Sequence, residues 1–393
     1  MKMTISAIKA DVGSIGGHLK PSQALIKRVD EHVASAIGGL IIDYRISHCG
    51  DDVAILMSHT KGVDNKEIHK LAWDAFKAGT EVAKEQSLYG AGQDLLKDAF
   101  SGNIKGMGPA AAELEFEERP NESFLLFTAD KTDPGAYSLP FYLAFADPMV
   151  SSGLVLSSSI AKGFIFEVVD VEYTECSKCK NFHGKGEACE GSKKNDRGDK
   201  VIKLKVPEDL YALASLLRDQ ERFVISGIFS RVSEQQGVSI STTRLHNIAG
   251  KYTGKDDPIA LARVQMDFPA TGEIIAGFNR GHLVAGFMRG SHHGPLMPVK
   301  QNTAVSYFDG PPQVSGCAYS VKNGHFTEGV DVFDHPYWDA IRDKVAQKAT
   351  DLREQGFFGP AMLPYGELEY GGIVDKLKEL ESRFEVKKSH LDE

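Results

Sequence analysis

A chain of 393 residues can bury one large core or two ordinary ones, and its apolar and charged fractions are those of an ordinary globular protein. A net charge of −9, from 54 acidic against 45 basic side chains, argues against a broad nucleic-acid surface, which should be basic. No apolar run approaches the roughly 20 residues of a membrane helix, and the start from Met1 to Ile5 does not have the make-up of a secretory signal, so a cytoplasmic protein without membrane contact is expected.

Residues 3–10 alternate as a strand and run into Asp11-Val12-Gly13-Ser14-Ile15-Gly16-Gly17-His18. Aspartate at a strand end before a Gly-rich turn suits a cation or phosphate, although a plain β–α turn fits equally well. Pro21 opens a helix over 21–36, with Leu25, Ile26, Val29, Val33 and Ile37 at helical spacing. A strand at 39–47, a turn Cys49-Gly50-Asp51-Asp52 and a strand at 53–58 follow. Adjacent carboxylates in a tight hairpin repel unless a cation lies between them, but solvated Asp-rich turns are also common. A second helix is expected over 65–86, with Ile68, Leu71, Ala72, Ala75 and Phe76 on one face.

Tyr89-Gly90-Ala91-Gly92-Gln93-Asp94 and Ser101-Gly102-Asn103-Ile104-Lys105-Gly106 are Gly-rich, polar and suited to contacting a ligand through the backbone. Strands are expected at 112–117 and 123–129, the second ending in Asp130-Lys131-Thr132-Asp133-Pro134-Gly135. This is a third strand end bearing aspartate, and three such ends point to one metal centre. Hard oxygen ligands suit magnesium rather than zinc.

A strand at 164–173 leads into Cys176, Cys179, His183 and Cys189, spaced C-x2-C-x3-H-x5-C. These soft ligands in a short polar segment suggest a small structural zinc site; a reduced, metal-free polar loop is the other reading. The spacing is similar to a zinc knuckle, but no basic, aromatic-lined surface supports nucleic-acid binding. Five cysteines, three of them in 176–189, do not form a secreted disulfide framework. A strand at 201–205, a helix at 207–219 and strands at 222–229 and 237–245 come next.

They deliver the chain to Gly250-Lys251-Tyr252-Thr253-Gly254-Lys255-Asp256-Asp257-Pro258, a phenol, an amine and two carboxylates within six positions. By itself this reads as a solvated turn with a surface Lys–Asp pair. If metal ions claim the carboxylates, Lys255 is released toward its neutral, nucleophilic form. It can then attack a carbonyl to form a Schiff base while Tyr252 moves protons. Arg263 and Gln265 follow, then Arg289-Gly290-Ser291-His292-His293-Gly294-Pro295, a polar turn whose guanidinium suits phosphate. Phe308-Asp309-Gly310-Pro311-Pro312 is a rigid turn, and Val314–Val321 pairs with a strand from Phe326 across Asn323-Gly324. Helices at 335–355 and 372–384 flank Tyr365 and Tyr370, and a charged tail runs from Lys387.

With these motifs in hand, the chain resembles the archaeal-type bifunctional fructose-1,6-bisphosphate aldolase/phosphatase family over nearly its whole length. The resemblance rests on the runs 11–18, 50–52, 89–93, 129–137, 248–258, 288–298 and 308–312, which occur in the family's order. The Cys/His ribbon at 174–198 has no counterpart in that pattern. The resemblance implies an α/β (α+β) chain, a single compact α-β-β-α layered sandwich. With no internal repeat and no low-complexity linker, one catalytic domain over 1–393 with the ribbon inserted is expected, and the resemblance implies that it is usually assembled as a homo-octamer. It also implies two reactions at one site: aldol condensation of dihydroxyacetone phosphate with glyceraldehyde 3-phosphate, then hydrolysis of the C1 phosphate to give fructose 6-phosphate. Lys255 is then the Schiff-base lysine, Tyr252 the aldol acid/base, and Asp11 the base for the attacking water. Asp11, His18, Asp51, Asp52, Gln93, Asp130, Asp256 and Asp257 hold several magnesium ions. Tyr89, Gly102, Asn103, Lys131, Gln265, Arg289, Asp309 and Tyr370 bind the sugar and its phosphates. Two other readings compete: a magnesium-dependent sugar phosphatase in which Lys255 only anchors phosphate, and a non-enzymatic zinc-ribbon module.

Overall fold

The computed structural model describes residues 1–95, 108–132, 134–171, 174–175, 182–183, 198–220, 222–241, 257–283, 285–286, 294–305, 311–354 and 372–388. The N-terminal part gives β1 (Lys2–Asp11), α1 (Gln23–Ala34), β2 (Asp43–Cys49), β3 (Asp52–His59), α2 (Lys66–Glu85) and β4 (Ala110–Glu117). Its strands form an antiparallel sheet in the order β2-β3-β1-β4. Both helices start where their side chains cap them: the Ser22 hydroxyl accepts from the Leu25 N–H at 3.2 Å, and Asn65 accepts from Glu67 and Ile68. Each then buries one apolar stripe on this sheet, Leu25, Val29 and Val33 from α1 and Ile68, Ala72, Ala75 and Phe76 from α2.

The second sheet begins with β5 (Ser123–Asp130), which leads to α3 (Ser138–Ala146) and the short α4 (Gly153–Leu156). Next come β6 (Phe164–Asp170), β7 (Thr174–Glu175), β8 (Phe182–His183), β9 (Gly198–Lys205), α5 (Leu210–Leu217), β10 (Phe223–Ser230), β11 (Gln236–Ile240) and β12 (Ile259–Arg263). The chain continues through α6 (Thr271–Ala276), β13 (Ala285–Gly286), β14 (Gly294–Pro295), β15 (Met297–Pro298), β16 (Gln313–Lys322), β17 (His325–Phe326) and β18 (Val330–Asp331). It closes with α7 (Pro336–Glu354), α8 (Gly372–Leu380) and β19 (Glu385–Lys388). The path of this sheet is β15-β16-β5-β12-β11-β10-β6-β9-β19.

Three apolar layers follow from the alternation of each strand. Ile8, Ala10, Val53, Ile55 and Met57 face α1 and α2. The opposite face of the same strands, Met3, Ile5, Ala7, Ala54 and Leu56, packs on Phe124, Leu126, Ile259 and Leu261 of the large sheet. The far side of the large sheet, with Leu125, Phe127, Ala260 and Ala262, is covered by Phe141 and Phe145 of α3, Leu213 of α5 and Trp338 of α7. The chain therefore has the expected α+β layering, helix–sheet–sheet–helix.

Several expected boundaries move. The strand placed at 39–47 runs instead over Asp43–Cys49, because the turn of Ala36 to Ile41 is occupied by main-chain bonds closing the end of α1. The helix placed at 207–219 covers Leu210–Leu217, and the one placed at 372–384 ends as an α-helix at Leu380. The helices α3, α4 and α6 were not expected. α3 (SLPFYLAFA) is buried nearly all round, so it carries no 3.6-residue stripe to read. Of the ribbon at 174–198, β7 pairs antiparallel with β8. Among the described residues no helix is long and apolar enough to cross a membrane.

Candidate metal and active site

The site lies where the apolar contact between the two sheets ends. Asp11 closes β1 and Asp52 opens β3, and the two are partners in the antiparallel register. The tight turn before β3 adds Asp51 to the same edge. From the other sheet, Asp130 closes β5, and Asp257 stands just before β12, whose first residue pairs with Thr128. Asp257 is pinned to β5: its N–H donates to the Thr132 carbonyl at 2.6 Å, and its carboxylate accepts from the Thr132 N–H at 3.1 Å. The neighbouring Pro258 carbonyl accepts from the Ala129 N–H at 3.0 Å and from the Tyr137 hydroxyl at 3.1 Å.

Two ligand-like groups result. Asp11, His18 and Asp51 each offer an atom within 4.8 Å of the others, and so do Asp52, Asp130 and Asp257. His18 Nδ1 lies 2.8 Å from Asp51 and 3.9 Å from Asp11. The Asp11 carboxylate accepts from the Gly13 N–H at 3.1 Å, while its own N–H donates to Asp94 at 3.0 Å. Lys131 is buried, at a left-handed φ of 61°, and its ammonium lies 2.6 Å from Asp51 and 3.1 Å from Asp130. Lys9, 1% exposed, donates to Asp52 and, at 2.8 Å, to the Ala129 carbonyl.

Burial and crowding set the proton affinities. Burial, then Asp51, Asp52 and Asp94, push the Asp11 carboxyl well above its usual range. Burial also drives Asp130 well up, against the pull of Lys131. Asp52 is pushed up to about 7 by burial, which Lys9 opposes and Asp257 and Asp51 reinforce. Burial works the same way on Asp51, but Lys131 and His18 outweigh it and hold that group below its usual range. Burial disfavours the Lys131 charge, yet Asp130 and Asp51 overcome it and keep that ammonium well above the usual lysine value.

Among the described residues, six carboxylates (Asp11, Asp51, Asp52, Asp94, Asp130 and Asp257) therefore face two ammonium groups, Lys9 and Lys131. Neither oxygen of Asp130 accepts a hydrogen bond among the described residues, although the residue is fully buried. A buried carboxylate in that condition fits a cation ligand, and an oxygen-rich donor set with one imidazole fits a hard divalent ion. Gly50, at a φ of 56°, leaves room for this carboxylate, since a Cβ there would lie 1.6 Å from Asp130 Oδ2.

The structure thus brings together Asp11, His18, Asp51, Asp52, Asp130, Lys131 and Asp257. Tyr89 joins them at the rim: its ring meets His18 edge-on at 4.7 Å, and its main chain pairs with Ser14. Gln93 opens a short 3-10 turn beside Asp94. Gln265 is not at this cluster. It follows the far end of β12, beyond Arg263, which pairs with Phe124 at the opposite end of β5 from Asp130. Tyr252, Lys255, Asp256, Gly102, Asn103, Arg289, Asp309 and Tyr370 lie outside the described residues, as do Cys176, Cys179 and Cys189 of the ribbon. The main chain of His183 is described, in β8.

Sequence reasoning missed Lys9 and Asp94. The signal for Lys9 was present, a lysine continuing the inward row Met3, Ile5, Ala7; Asp94 had only its place beside Gln93. It also missed a polar group on the helix face of the small sheet, where Asp64, His69 and Glu113 offer atoms within 4.8 Å of one another. Glu113 accepts from the Ser6 hydroxyl and from the Asp64 N–H, and His69 lies 3.3 Å from it. This cluster links β4 to α2. His59 completes it, with Nε2 2.8 Å from Ser6 Oγ and Nδ1 accepting from the Lys61 N–H.

Burial lowers the His59 pKa to about 4, with Glu113 opposing and His69 reinforcing the shift. Between pH 6.5 and 4 the unfolded chain takes a proton at this histidine that the native one refuses, so stability falls as pH drops through that window. The loss from His59 is at most about 3 kcal/mol. Denaturant unfolding at pH 7 and pH 4.5 should therefore show a smaller difference for His59→Gln than for the wild-type chain. Equal differences would remove His59 from the account.

A family model described as fructose-1,6-bisphosphatase matches residues 2–385. The chain is 52% identical over 384 residues to a Thermus thermophilus protein named fructose-1,6-bisphosphate aldolase/phosphatase, covering 98% of this chain and 100% of that one. A protein of the same name from Cenarchaeum symbiosum is 47% identical (98% and 95% covered), and one from Methanothermobacter marburgensis is 44% identical (98% and 99% covered).

Proposed function

The chain belongs to the fructose-1,6-bisphosphate aldolase/phosphatase family, and from that premise we propose that a single site, the junction of the two sheets, performs both reactions. It is a lyase and a phosphoric monoester hydrolase: it condenses dihydroxyacetone phosphate with glyceraldehyde 3-phosphate and hydrolyses the C1 phosphate of the resulting fructose 1,6-bisphosphate. The observation that carries the one-site reading is Asp257, pinned beside Asp130 and only two residues after Lys255 in the chain.

In this reading Lys255 adds to the ketone of dihydroxyacetone phosphate and loses water to form an imine, with Tyr252 carrying the protons. Tyr252 then takes a proton from the carbon beside the imine, and the enamine carbon attacks the aldehyde. Water hydrolyses the imine and frees Lys255. Asp11, oriented by the Gly13 and Asp94 hydrogen bonds, takes the proton of the water that attacks the C1 phosphorus. Asp11, His18, Asp51, Asp52, Gln93, Asp130, Asp256 and Asp257 would hold magnesium ions, supported by their hard donor atoms. Bound magnesium supplies charge neutralisation between two phosphorylated substrates and a more acidic water. Tyr89, Gly102, Asn103, Lys131, Arg289, Asp309 and Tyr370 would bind sugar and phosphate.

We further propose one catalytic domain over 1–393, a cytoplasmic homo-octamer, and a structural zinc on Cys176, Cys179, His183 and Cys189; the last rests on their C-x2-C-x3-H-x5-C spacing.

Given the two triose phosphates and magnesium, the protein should yield fructose 6-phosphate and free phosphate in equal amounts. Removing divalent ions with a chelator should stop both, and adding magnesium back should restore both. Phosphate release from fructose 1,6-bisphosphate with no condensation of trioses would instead leave a plain sugar phosphatase.

A further inference from the structure

Lys9 occupies a position that the fold treats as apolar. In β1 the residues Met3, Ile5 and Ala7 point into the contact between the sheets, and Lys9 is next in that row. In β3, Leu56 and Ala54 face the same gap and Asp52 continues their row to the strand's start. The ammonium of Lys9 crosses the gap to the Ala129 carbonyl of β5, in the opposite sheet, while holding one oxygen of Asp52 on its own sheet. Beside that pair are Asp130 and Asp257, both from the large sheet. Stripping water from an ammonium is costly, and a methionine of similar length would fill the same slot without that cost. The charge therefore has work to do here that packing does not require.

We propose that Lys9 is a positioning residue of the metal centre: it bridges the two sheets, fixes Asp52 with one oxygen left free to ligate, and keeps the carboxylates of both sheets together before any divalent ion binds. The proposal rests on the reading that this cluster holds magnesium. In the metal-free protein Lys9 holds Asp52 of the Asp52, Asp130 and Asp257 group, while Lys131 stands against Asp130. Without it these buried carboxylates repel one another across the gap, and the sheet edges part unless a divalent ion takes over the charge.

The test compares the wild-type chain, Lys9→Met and the Lys9→Met/Asp52→Asn double variant, each melted with chelator and with saturating magnesium. Magnesium binding is followed by calorimetry. Metal-free Lys9→Met should melt at least roughly 5 °C below wild type, the scale expected for breaking a buried ion pair in a chain of this size. Magnesium should recover most of that loss, so its stabilising shift is larger for the variant than for wild type. Adding Asp52→Asn removes the stranded charge and should restore metal-free stability without magnesium. At saturating magnesium, Lys9→Met should lower kcat at least tenfold while KM for fructose 1,6-bisphosphate moves less than twofold.

Were Lys9 only a packing residue, neither magnesium nor the second substitution would rescue the variant, and the proposal would be overturned. It fails alone if wild type binds magnesium and Lys9→Met melts and responds as wild type does. If wild type binds no magnesium, the metal reading fails and takes this proposal with it. Should Lys9→Met not fold without magnesium, the metal-free double variant decides: a wild-type-like melt supports the proposal, and failure to fold refutes it.

Discussion

Gly50→Ala is expected to abolish magnesium binding on the Asp130 side of the site, with affinity falling at least a hundredfold, about 3 kcal/mol. Two costs combine. The φ of 56° is a conformation that a residue with a Cβ adopts at a cost of about 1–2 kcal/mol. The new methyl would also lie 1.6 Å from Oδ2 and 2.4 Å from Cγ of Asp130, and 3.0 Å from a methyl of Val305. Neither side can yield easily. The turn is tied by the Gly50 N–H to the Thr303 carbonyl at 2.9 Å. Asp130 is short, fully buried and held in the β5–β16 ladder opposite Gln313. The carboxylate must therefore rotate out of the cluster, taking a ligand from the Asp52 and Asp257 group with it. Calorimetric titration of the purified variant with magnesium checks this, and an affinity within a few-fold of wild type would show that the turn can give way after all.

Lys255→Ala should remove triose condensation, by a thousandfold or more, while leaving phosphate release from fructose 1,6-bisphosphate within about tenfold of wild type. Losing a covalent nucleophile forfeits the intermediate and not merely a contact, so a thousandfold, about 4 kcal/mol, is a lower bound. In the proposed site, phosphate hydrolysis would draw on Asp11 and the carboxylates of β1, β3 and β5 rather than on that amine. Borohydride with dihydroxyacetone phosphate should label the wild-type chain at this lysine and leave the variant unlabelled. A variant that still condenses trioses at the wild-type rate would take the Schiff base away from Lys255. Parallel loss of both activities would mean that the amine serves the metal cluster instead.

The helices and strands were legible from periodicity, while their layering was expected from the family resemblance. The stripes of α1 and α2 and the alternation of β4 state which face is buried; β1 and β5 are covered on both faces. α3 escaped because a helix buried nearly all round has no stripe, and β2 was misplaced because the closing turn of α1 is itself apolar. The aspartates at strand ends were legible through their turn glycines, which mark places where backbone and ligand come close. Lys9 was marked only by its place in the inward row of β1, and alternation alone cannot tell a paired ammonium from a solvated one.

Residue type and local spacing marked the carboxylates and the amine, and the order of the motifs along the chain, through the family resemblance, named the chemistry. By themselves the same groups also read as solvated turns, because their reactivity depends on the burial and neighbours that the fold supplies. Which carboxylates meet was settled by sheet register: Asp11 opposite Asp52 on one sheet, and Asp130 bound through Thr132 to Asp257 on the other. The same register carried Gln265 to the far end of β12. The reason is physical: in a strand each residue's neighbours are chosen by hydrogen bonds to chain segments far away in sequence, and a one-residue slip would turn every ligand to the other face.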